Sequence, residues 1–181
     1  MIPPIPCIQH LPPPEPPPLS DQFTLSWTYG PEWAKNGEID ILEGVHKELV
    51  NQMTLHTETD CIVDEHPHET GDQLNASCAP RQPGCSVRDK PGTPSYGTEF
   101  NRIGGGVFAT LWTSAGVKIW FFPRGNIPED IGSGKPKPEG WREPNADFVG
   151  GKGCEFDKHF RDHRIVSLHS QISALRTAAY H

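Results

Sequence analysis

The feature that most constrains the fold is a run of six residues, 38–43, that reads Glu-Ile-Asp-Ile-Leu-Glu. Successive side chains on a β-strand point to opposite faces of the sheet, so Glu38 and Asp40 are expected on one face and the isoleucines on the other. An unbroken strand would place Glu43 on the isoleucine face. A β-bulge near residues 41–42 would return Glu43 to the face of the other two acids. The run therefore predicts a bulged strand that carries three carboxylates on one face.

Carboxylates in this arrangement suit the hydrolysis of a glycosidic bond. Four effective strand steps would separate the Cα atoms of Glu38 and Glu43 by roughly 13 Å. Side chains that lean together could bring the two carboxyl groups to the distance of about 5–5.5 Å that is typical of retaining glycosidases, whereas inverting enzymes keep a wider gap for a water. An acidic cluster alone is more often a solvated face of a strand. The flanking sequence therefore has to decide between a catalytic strand and a solvated one.

The flanking sequence resembles a known family. Residues 37–45 are similar to the active-site strand of glycoside hydrolase family 16, the laminarinase-like endo-β-glucanases, in its bulged form with the spacing ExDxxE. The similarity to fungal secreted members covers roughly residues 21–166. The other segments that carry it are 27–30, Trp33, 51–57, 104–109, 119–124, 127–128, 130–131, Pro136, Trp141, 159–160 and 165–166.

The resemblance implies a role for each acid of the strand. Glu38 would be the nucleophile and Glu43 the acid/base, with Asp40 between them; a second interpretation makes Asp40 a buried partner that only satisfies the strand. The charge of Glu38, reinforced by Asp40, would raise the proton affinity of Glu43 and keep it protonated as the acid. Once Glu38 becomes an ester, that affinity would fall and Glu43 could deprotonate a water. No organic cofactor is expected.

Four further residues are expected to bind the substrate. Trp33 could stack on a sugar ring, because pyranose faces present C–H groups to an aromatic ring. His56 is a candidate because family members place a histidine beside the acid/base glutamate, although a lone histidine is more often structural. Asn51 and Gln52 are included because they belong to the same family-like segment.

Composition and charge limit the class of protein. The chain has 181 residues, with 20 Pro and 18 Gly, which favours one domain of short strands and many turns. The resemblance implies an all-β fold, the concanavalin A-like β-jelly roll sandwich. A formal charge of -7 argues against a nucleic-acid partner, and a neutral β-glucan asks for no charge complement. No stretch approaches the ~20 apolar residues of a membrane span, and the start lacks the pattern of a signal peptide.

The chain is expected to divide into three parts. Residues 1–20 contain two runs of three prolines and are expected to be a disordered, extended tail, with a polyproline ligand as the alternative. Residues 21–166 resemble a partial family 16 domain, and residues 167–181 depart from the family. Related chains have more sequence at both ends, so we expect an incomplete jelly roll. The first helical pattern of the chain, over residues 172–179, is short.

The cysteines point to an oxidising compartment. Five Cys and the sequon at residues 75–77 are typical of a secreted protein, and the resemblance also implies an extracellular location. The polar segment 59–95 is expected to be a long excursion held by disulfides whose connectivity cannot be read from sequence. By resemblance, the partner of Cys154 belongs to a segment that this chain lacks, so an unpaired Cys154 is expected.

Two histidine pairs raise the question of a metal site. His66 and His68 lie among acidic residues, and His159 and His163 have the spacing of one helix face. Neither pair has further ligands that converge on it in the sequence, so no metal is predicted.

Two hypotheses of different class follow. In the first, the chain is a monomeric, retaining endo-β-glucanase domain that acts on 1,3- or mixed 1,3/1,4-linked glucans. In the second, it is an inactive truncated remnant that binds glucan weakly at most. A proline-tailed interaction module gains no specific support from residues 21–166.

Overall fold

The computed structural model describes residues 5–11, 22–44, 48–65, 68–80, 83–151 and 153–171. Within this part of the chain, two antiparallel sheets form a sandwich of the jelly-roll type, which confirms the all-β prediction. The strands are β1 (Ile5–Leu11), β2 (Gln22–Tyr29), β3 (Glu38–Glu43), β4 (Gln52–His56), β5 (Asp72–Asn75), β6 (Cys85–Arg88), β7 (Gly106–Thr113), β8 (Gly116–Pro123), β9 (Ala146–Val149) and β10 (Arg164–Gln171).

The strand order puts the acidic strand β3 inside the larger sheet. One sheet has the order β10-β2-β3-β4-β6-β5, and the other has the order β1-β7-β8-β9. β3 is therefore hydrogen-bonded on both sides, to β2 and to β4. Because both of its edges are paired, β3 is a rigid base for functional side chains.

Several short helices lie in the connections. The α-helices span Gly97–Arg102, Glu129–Gly132 and Phe156–His159, and 3₁₀ turns span Arg124–Asn126 and Pro138–Gly140. The sequence predicted none of them, because a helix of six residues or fewer is too short for a 3.6-residue period to emerge. The predicted helix over 172–179 lies outside the described residues. No helix in the described part of the chain is long and apolar enough to cross a membrane.

The core fills the space between the sheets. Ile39 and Ile41 of β3 are each 1% exposed and point toward the second sheet, where Phe108 of β7 packs on Phe121 of β8 with ring centroids 4.9 Å apart. The opposite face of β7 contributes to a smaller apolar cluster around Trp120. Both sheets therefore bury the apolar face that strand alternation predicts.

The prediction for the N-terminal tail is wrong for part of its length. Residues 5–11 form β1, which pairs with β7 at the edge of the four-stranded sheet, and Pro6 lies within this strand. An edge strand needs hydrogen bonds on one side only, so it accepts a proline that a central strand would exclude. Residues 12–20, which hold the two proline runs, lie outside the described residues.

Two disulfides tie the loops to the sandwich, and one of them corrects the expectation for Cys154. Cys61 is bonded to Cys154, and Cys78 is bonded to Cys85. Gly151 donates its N–H to the carbonyl of Ile62 at 3.1 Å, which brings the chain around Cys61 beside the chain around Cys154. The segment 59–95 is thus held by disulfides as predicted, although it also contributes β5 and β6 to the larger sheet.

Gly37 precedes the acidic strand and leads to a first prediction. Its φ is +76°, and an added Cβ would lie 2.4 Å from the Phe160 ring and 2.6 Å from the carbonyl oxygen of His159. Gly37→Ala is therefore expected to lower the free energy of unfolding by about 2–4 kcal/mol, measured by urea denaturation. Gly125→Ala is the control, because a Cβ there meets nothing within 4 Å, and it should change the free energy by less than about 0.5 kcal/mol. Equal effects of the two substitutions would contradict this account.

Candidate active site

The structure confirms the bulge in β3. Asp40 pairs with Thr54 and Glu43 pairs with Gln52, so three steps along β3 face two steps along β4. Ile41 and Leu42 together occupy the place of one residue in this ladder, and both turn inward; they are 1% and 3% exposed. The three acids are half-buried on the opposite face of the strand. The carboxylate row predicted from the hexapeptide is therefore present on one face of the sheet.

Asn51 does not line this face, which corrects its prediction as a substrate-binding residue. Its side chain has no exposed surface. The Asn51 Oδ1 accepts the N–H of Glu43 at 2.9 Å, and Nδ2 donates to the carbonyl of Ile41 at 2.8 Å. The sequence contains the signal for this inward direction, because Gln52 and Asn51 are neighbours and only one of them can lie on the face of the acids, which we call the cleft face.

Glu38, Asp40 and His56 form a compact group at the centre of the face. His56 lies opposite Glu38 in the pairing of β3 with β4, and its Nε2 is 3.3 Å from Oδ2 of Asp40. The ligand atoms of the three side chains lie within 4.8 Å of one another. The Nε1–H of Trp33 donates to Oε2 of Glu38, which brings the predicted aromatic platform against the predicted nucleophile.

The same three ligand atoms could surround a divalent cation, but each side chain also has a hydrogen-bonding partner. Trp33 contacts Glu38, while Asp40 and His56 contact each other. These contacts account for the grouping of the three side chains without an ion. Of the other histidines considered for a metal, His163 uses both ring nitrogens, with Thr28 Oγ1 at 2.9 Å and the carbonyl of Asn36 at 2.6 Å. His66 lies outside the described residues.

Burial and a neighbouring charge favour the protonated form of Glu43. Burial raises the pKa of Glu43, and the charge of Asp40 raises it further, while a hydrogen bond from Thr54 Oγ1 to Oε2 at 3.3 Å opposes the rise in pKa. The sequence argument named the charges of Glu38 and Asp40; burial is the larger cause. The pKa of Asp40 is also raised by burial, against the hydrogen bond from His56, and that bond raises the pKa of His56.

Gln52 lies on the same face of the larger sheet as the three acids. It is directly opposite Glu43, its Nε2 is 3.5 Å from Thr54 Oγ1, and its Oε1 accepts from Arg88 Nη2 at 3.1 Å. The sequence analysis missed Thr54, which lies between Gln52 and His56 and shares their face by the alternation of β4. Gln52, Thr54 and His56 thus form a polar row beside the acids.

Two aromatic residues of β2 were also missed. Trp27 pairs with Asp40 and Tyr29 pairs with Glu38, and directly opposite residues of paired strands share a face of the sheet. Both side chains are partly exposed beside the acids. Their signal was available in the alternation of residues 23–29 once β2 is recognised as the neighbour of β3.

The groups that shift the pKa of Glu43 lead to a prediction: substitutions of Asp40 and Thr54 should move the pH profile of activity in opposite directions. If Glu43 must be protonated, activity falls as the pH rises through its pKa. Asp40→Asn removes the charge that raises this pKa, so the alkaline limb of kcat/KM should move to lower pH. Thr54→Val removes the hydrogen bond that lowers the pKa, so the limb should move to higher pH. The check is a pH profile of glucan hydrolysis; shifts in the same direction would contradict it.

Comparisons with known proteins place this arrangement in a family. The model of the XgeA-like catalytic domain of glycoside hydrolase family 16 matches residues 23–171. An endo-1,3(4)-β-glucanase of Arthroderma benhamiae is 41% identical over 146 residues, and a probable glycosidase of Schizosaccharomyces pombe is 45% identical over 146 residues. These alignments cover 77% of this chain, and 32% and 34% of the two relatives.

Solved structures agree with the sequence comparisons. An elongating family 16 β-1,3-glucosyltransferase superposes with a TM-score of 0.77 at 35% identity, over 93% of this chain and 55% of that one. Laminarinase 16A from Phanerochaete chrysosporium, solved with β-glucans in its donor and acceptor sites, superposes with a TM-score of 0.77 at 33% identity, over 91% of this chain and 55% of that one. This chain thus spans about a third of the curated relatives and about half of the solved chains. It belongs to glycoside hydrolase family 16.

Proposed function

We propose that the chain is an endo-β-glucanase domain that hydrolyses 1,3- or mixed 1,3/1,4-linked β-glucans with retention of configuration. The observation that carries the proposal is the bulge, because it sets Glu38, Asp40 and Glu43 on one face of a central strand. Burial and the charge of Asp40 raise the pKa of Glu43, as an acid catalyst requires. Double displacement uses one carboxylate as the nucleophile and one protonated carboxyl group as the acid, and these are the roles that we assign to Glu38 and Glu43.

In the proposed reaction, the two glutamates act in two steps. Glu38 attacks the anomeric carbon while Glu43 donates its proton to the departing glycosidic oxygen, so the C–O bond breaks and a glycosyl ester of Glu38 forms. Glu43, now a carboxylate, then takes a proton from a water whose oxygen attacks the anomeric carbon and releases Glu38. Asp40 contributes in two ways. Its charge raises the pKa of Glu43, and its contact with His56 keeps that ring beside Glu38.

The substrate class follows from the surroundings of the acids. Trp33 is 64% exposed while its Nε1–H holds Glu38, so its ring can stack on a sugar next to the reacting bond. Gln52 and His56 offer hydrogen-bonding groups to sugar hydroxyls. The relatives are named as glucanases and laminarinases, which supports a β-glucan rather than another polysaccharide.

Two buried disulfides suit an extracellular location, and we propose that the domain acts there as a monomer.

The test is the stereochemistry of the first product. The purified chain is incubated with laminarin and with lichenan, and the anomeric protons of new reducing ends are followed by NMR from the first minutes, with Glu38→Gln as the blank. We expect the β-anomer to appear first and to mutarotate later to the α-anomer. An α-anomer that appears first would exclude double displacement, and reducing ends that match the blank would exclude hydrolysis.

A second candidate, an inactive domain that binds glucan, is favoured by one observation. Ile165 of β10 pairs with Thr28, which pairs with Ile39, so Ile165 faces the core side of its sheet, yet it is 59% exposed. This side chain marks one place where the described residues leave the core side of the larger sheet uncovered. Retention of the chain on a laminarin column without release of reducing ends would support this candidate.

A further inference from the structure

We infer that Asn51 is a positioning residue for the acid/base step, because its carboxamide fixes the bulge from which Glu43 projects. The inference rests on the proposed function, since it assigns Glu43 the acid/base role. Asn51 itself is fully buried and touches neither the cleft nor a substrate.

The carboxamide binds the backbone at the point where the β3–β4 ladder is interrupted. The register shift lies between Asp40 and Glu43, and within it Asn51 accepts the N–H of Glu43 at 2.9 Å and donates to the carbonyl of Ile41 at 2.8 Å. A bulge leaves backbone groups without their regular partners. One side chain therefore satisfies a donor and an acceptor on the two sides of Leu42, within the bulge.

Asn51 is in turn held from the opposite side. Its N–H donates to Ser95 Oγ at 2.9 Å, and its carbonyl accepts the N–H of Asp89 at 3.0 Å. Ser95 is 0% exposed and Asp89 is 2% exposed. Because the backbone and side chain of Asn51 are both bonded in the interior, its carboxamide has one available orientation.

The placement of the Glu43 carboxyl group depends on this backbone contact. Its side-chain hydrogen bond from Thr54 Oγ1 is 3.3 Å long, which is beyond the usual range for a strong O–H···O bond. The position of the Glu43 main chain therefore decides where the carboxyl group lies. An error of about 1 Å at a proton donor is enough to lower a rate by roughly two orders of magnitude.

Position 51 requires a carboxamide, because the group must both accept and donate a hydrogen bond. Substitution by aspartate is the sharpest test of this requirement. Asn51→Asp keeps the shape and the acceptor for the Glu43 N–H, but it replaces the donor by an oxygen that faces the carbonyl of Ile41. The bulge should shift because two acceptors then oppose each other in a buried place. Asn51→Ala removes both bonds and leaves a gap.

The experiment compares two substrates that need acid assistance to different degrees. A dinitrophenyl leaving group departs without a proton, whereas a phenyl leaving group needs one. For Asn51→Asp we expect kcat/KM on the phenyl β-laminaribioside to fall roughly 10- to 100-fold, and on the dinitrophenyl analogue by less than about threefold. Glu43→Gln should show the same selectivity more strongly. Equal losses on both substrates would show a purely structural role and would overturn the inference.

Asn75→Ala is the control for the loss of an amide that bonds the backbone. Asn75 lies on β5, at the edge of the larger sheet, where its Nδ2 donates to the carbonyl of Gly84 at 2.9 Å and its Oδ1 accepts the N–H of Ser77 at 3.2 Å. The substitution should also lower the thermal midpoint, but it should leave the ratio of the two rates unchanged. A changed ratio in Asn75→Ala would remove the special status of Asn51 and overturn the inference.

A measurement that does not require enzymatic activity tests this inference separately from the proposed function. Amide hydrogen exchange, followed by NMR, should accelerate at least about tenfold at the Glu43 N–H in Asn51→Ala, relative to the N–H of Leu55 on the next strand. Unchanged exchange overturns the inference even if the wild type is active. A wild type that cleaves neither aryl glycoside, together with accelerated exchange in the variant, overturns the proposed function and the acid/base role of Glu43, while the contact at the bulge stands.

Discussion

Glu38→Gln should reduce kcat on laminarin by roughly 10⁴- to 10⁶-fold, the range seen when an enzyme loses its nucleophile. A glutamine amide cannot attack the anomeric carbon, so the covalent intermediate cannot form. The fold should be unaffected, because the amide oxygen can still accept the hydrogen bond from Trp33 and the strand keeps its side-chain volume. The measurement is reducing-sugar release together with the thermal midpoint of both proteins. A loss of less than tenfold, with an unchanged midpoint, would refute the role of Glu38.

Azide separates the role of Glu38 from that of Glu43. In Glu38→Ala, azide can take the place of the nucleophile and give an α-glycosyl azide from an activated β-glycoside. In Glu43→Ala, azide attacks the glycosyl ester of Glu38 instead and gives a β-glycosyl azide. If the two variants give the opposite products, the two roles have to be exchanged.

Removal of the Cys61–Cys154 disulfide should have the largest effect on stability. Its cysteines are 93 residues apart, and the entropy of closing such a loop corresponds to about 4–5 kcal/mol. The double variant Cys61→Ala, Cys154→Ala should therefore lose about that much free energy of unfolding, measured by urea denaturation. Both cysteines are buried, so alanine avoids placing a hydroxyl group in the core.

The second disulfide serves as the internal control. Cys78 and Cys85 are 7 residues apart, and the same relation gives about 2–2.5 kcal/mol for the loop that they close. The two double variants should thus differ by about 2 kcal/mol. A greater loss from the shorter loop would mean that native packing around the cysteines, rather than the entropy of the unfolded chain, determines the stability.

The bulged strand was predictable from the sequence because its residues leave few alternatives. Three acids cannot all face a core, and strand alternation fixes the direction of each residue once Ile39 and Ile41 are taken as buried. The register shift between Asp40 and Glu43 follows from the requirement that Glu43 also avoid the core. The directions of Gln52 and His56 follow from the same alternation on β4, and the structure shows them on the cleft face.

Two of the incorrect predictions, those for the N-terminal tail and for Cys154, depend on contacts between distant parts of the chain. β1 forms because β7 has a free edge, and the partner of Cys154 is Cys61, 93 residues away. The inward direction of Asn51 was readable from alternation, but its contacts with the bulge and with Ser95 require the folded arrangement. The raised pKa of Glu43 likewise depends mainly on burial, which the sequence does not give.

The interior position of β3 in its sheet shields the three acids from changes at the edges of the sheet. Two strands, β10 and β2, lie on one side of it, and three strands, β4, β6 and β5, lie on the other. Loops that join the outer strands can lengthen, shorten or change composition without disturbing the hydrogen bonds of the acidic strand. Under the proposed function, new polysaccharide preferences would evolve in those loops while the acids of β3 are inherited unchanged, and an engineer who wishes to retarget the domain should begin at the outer loops.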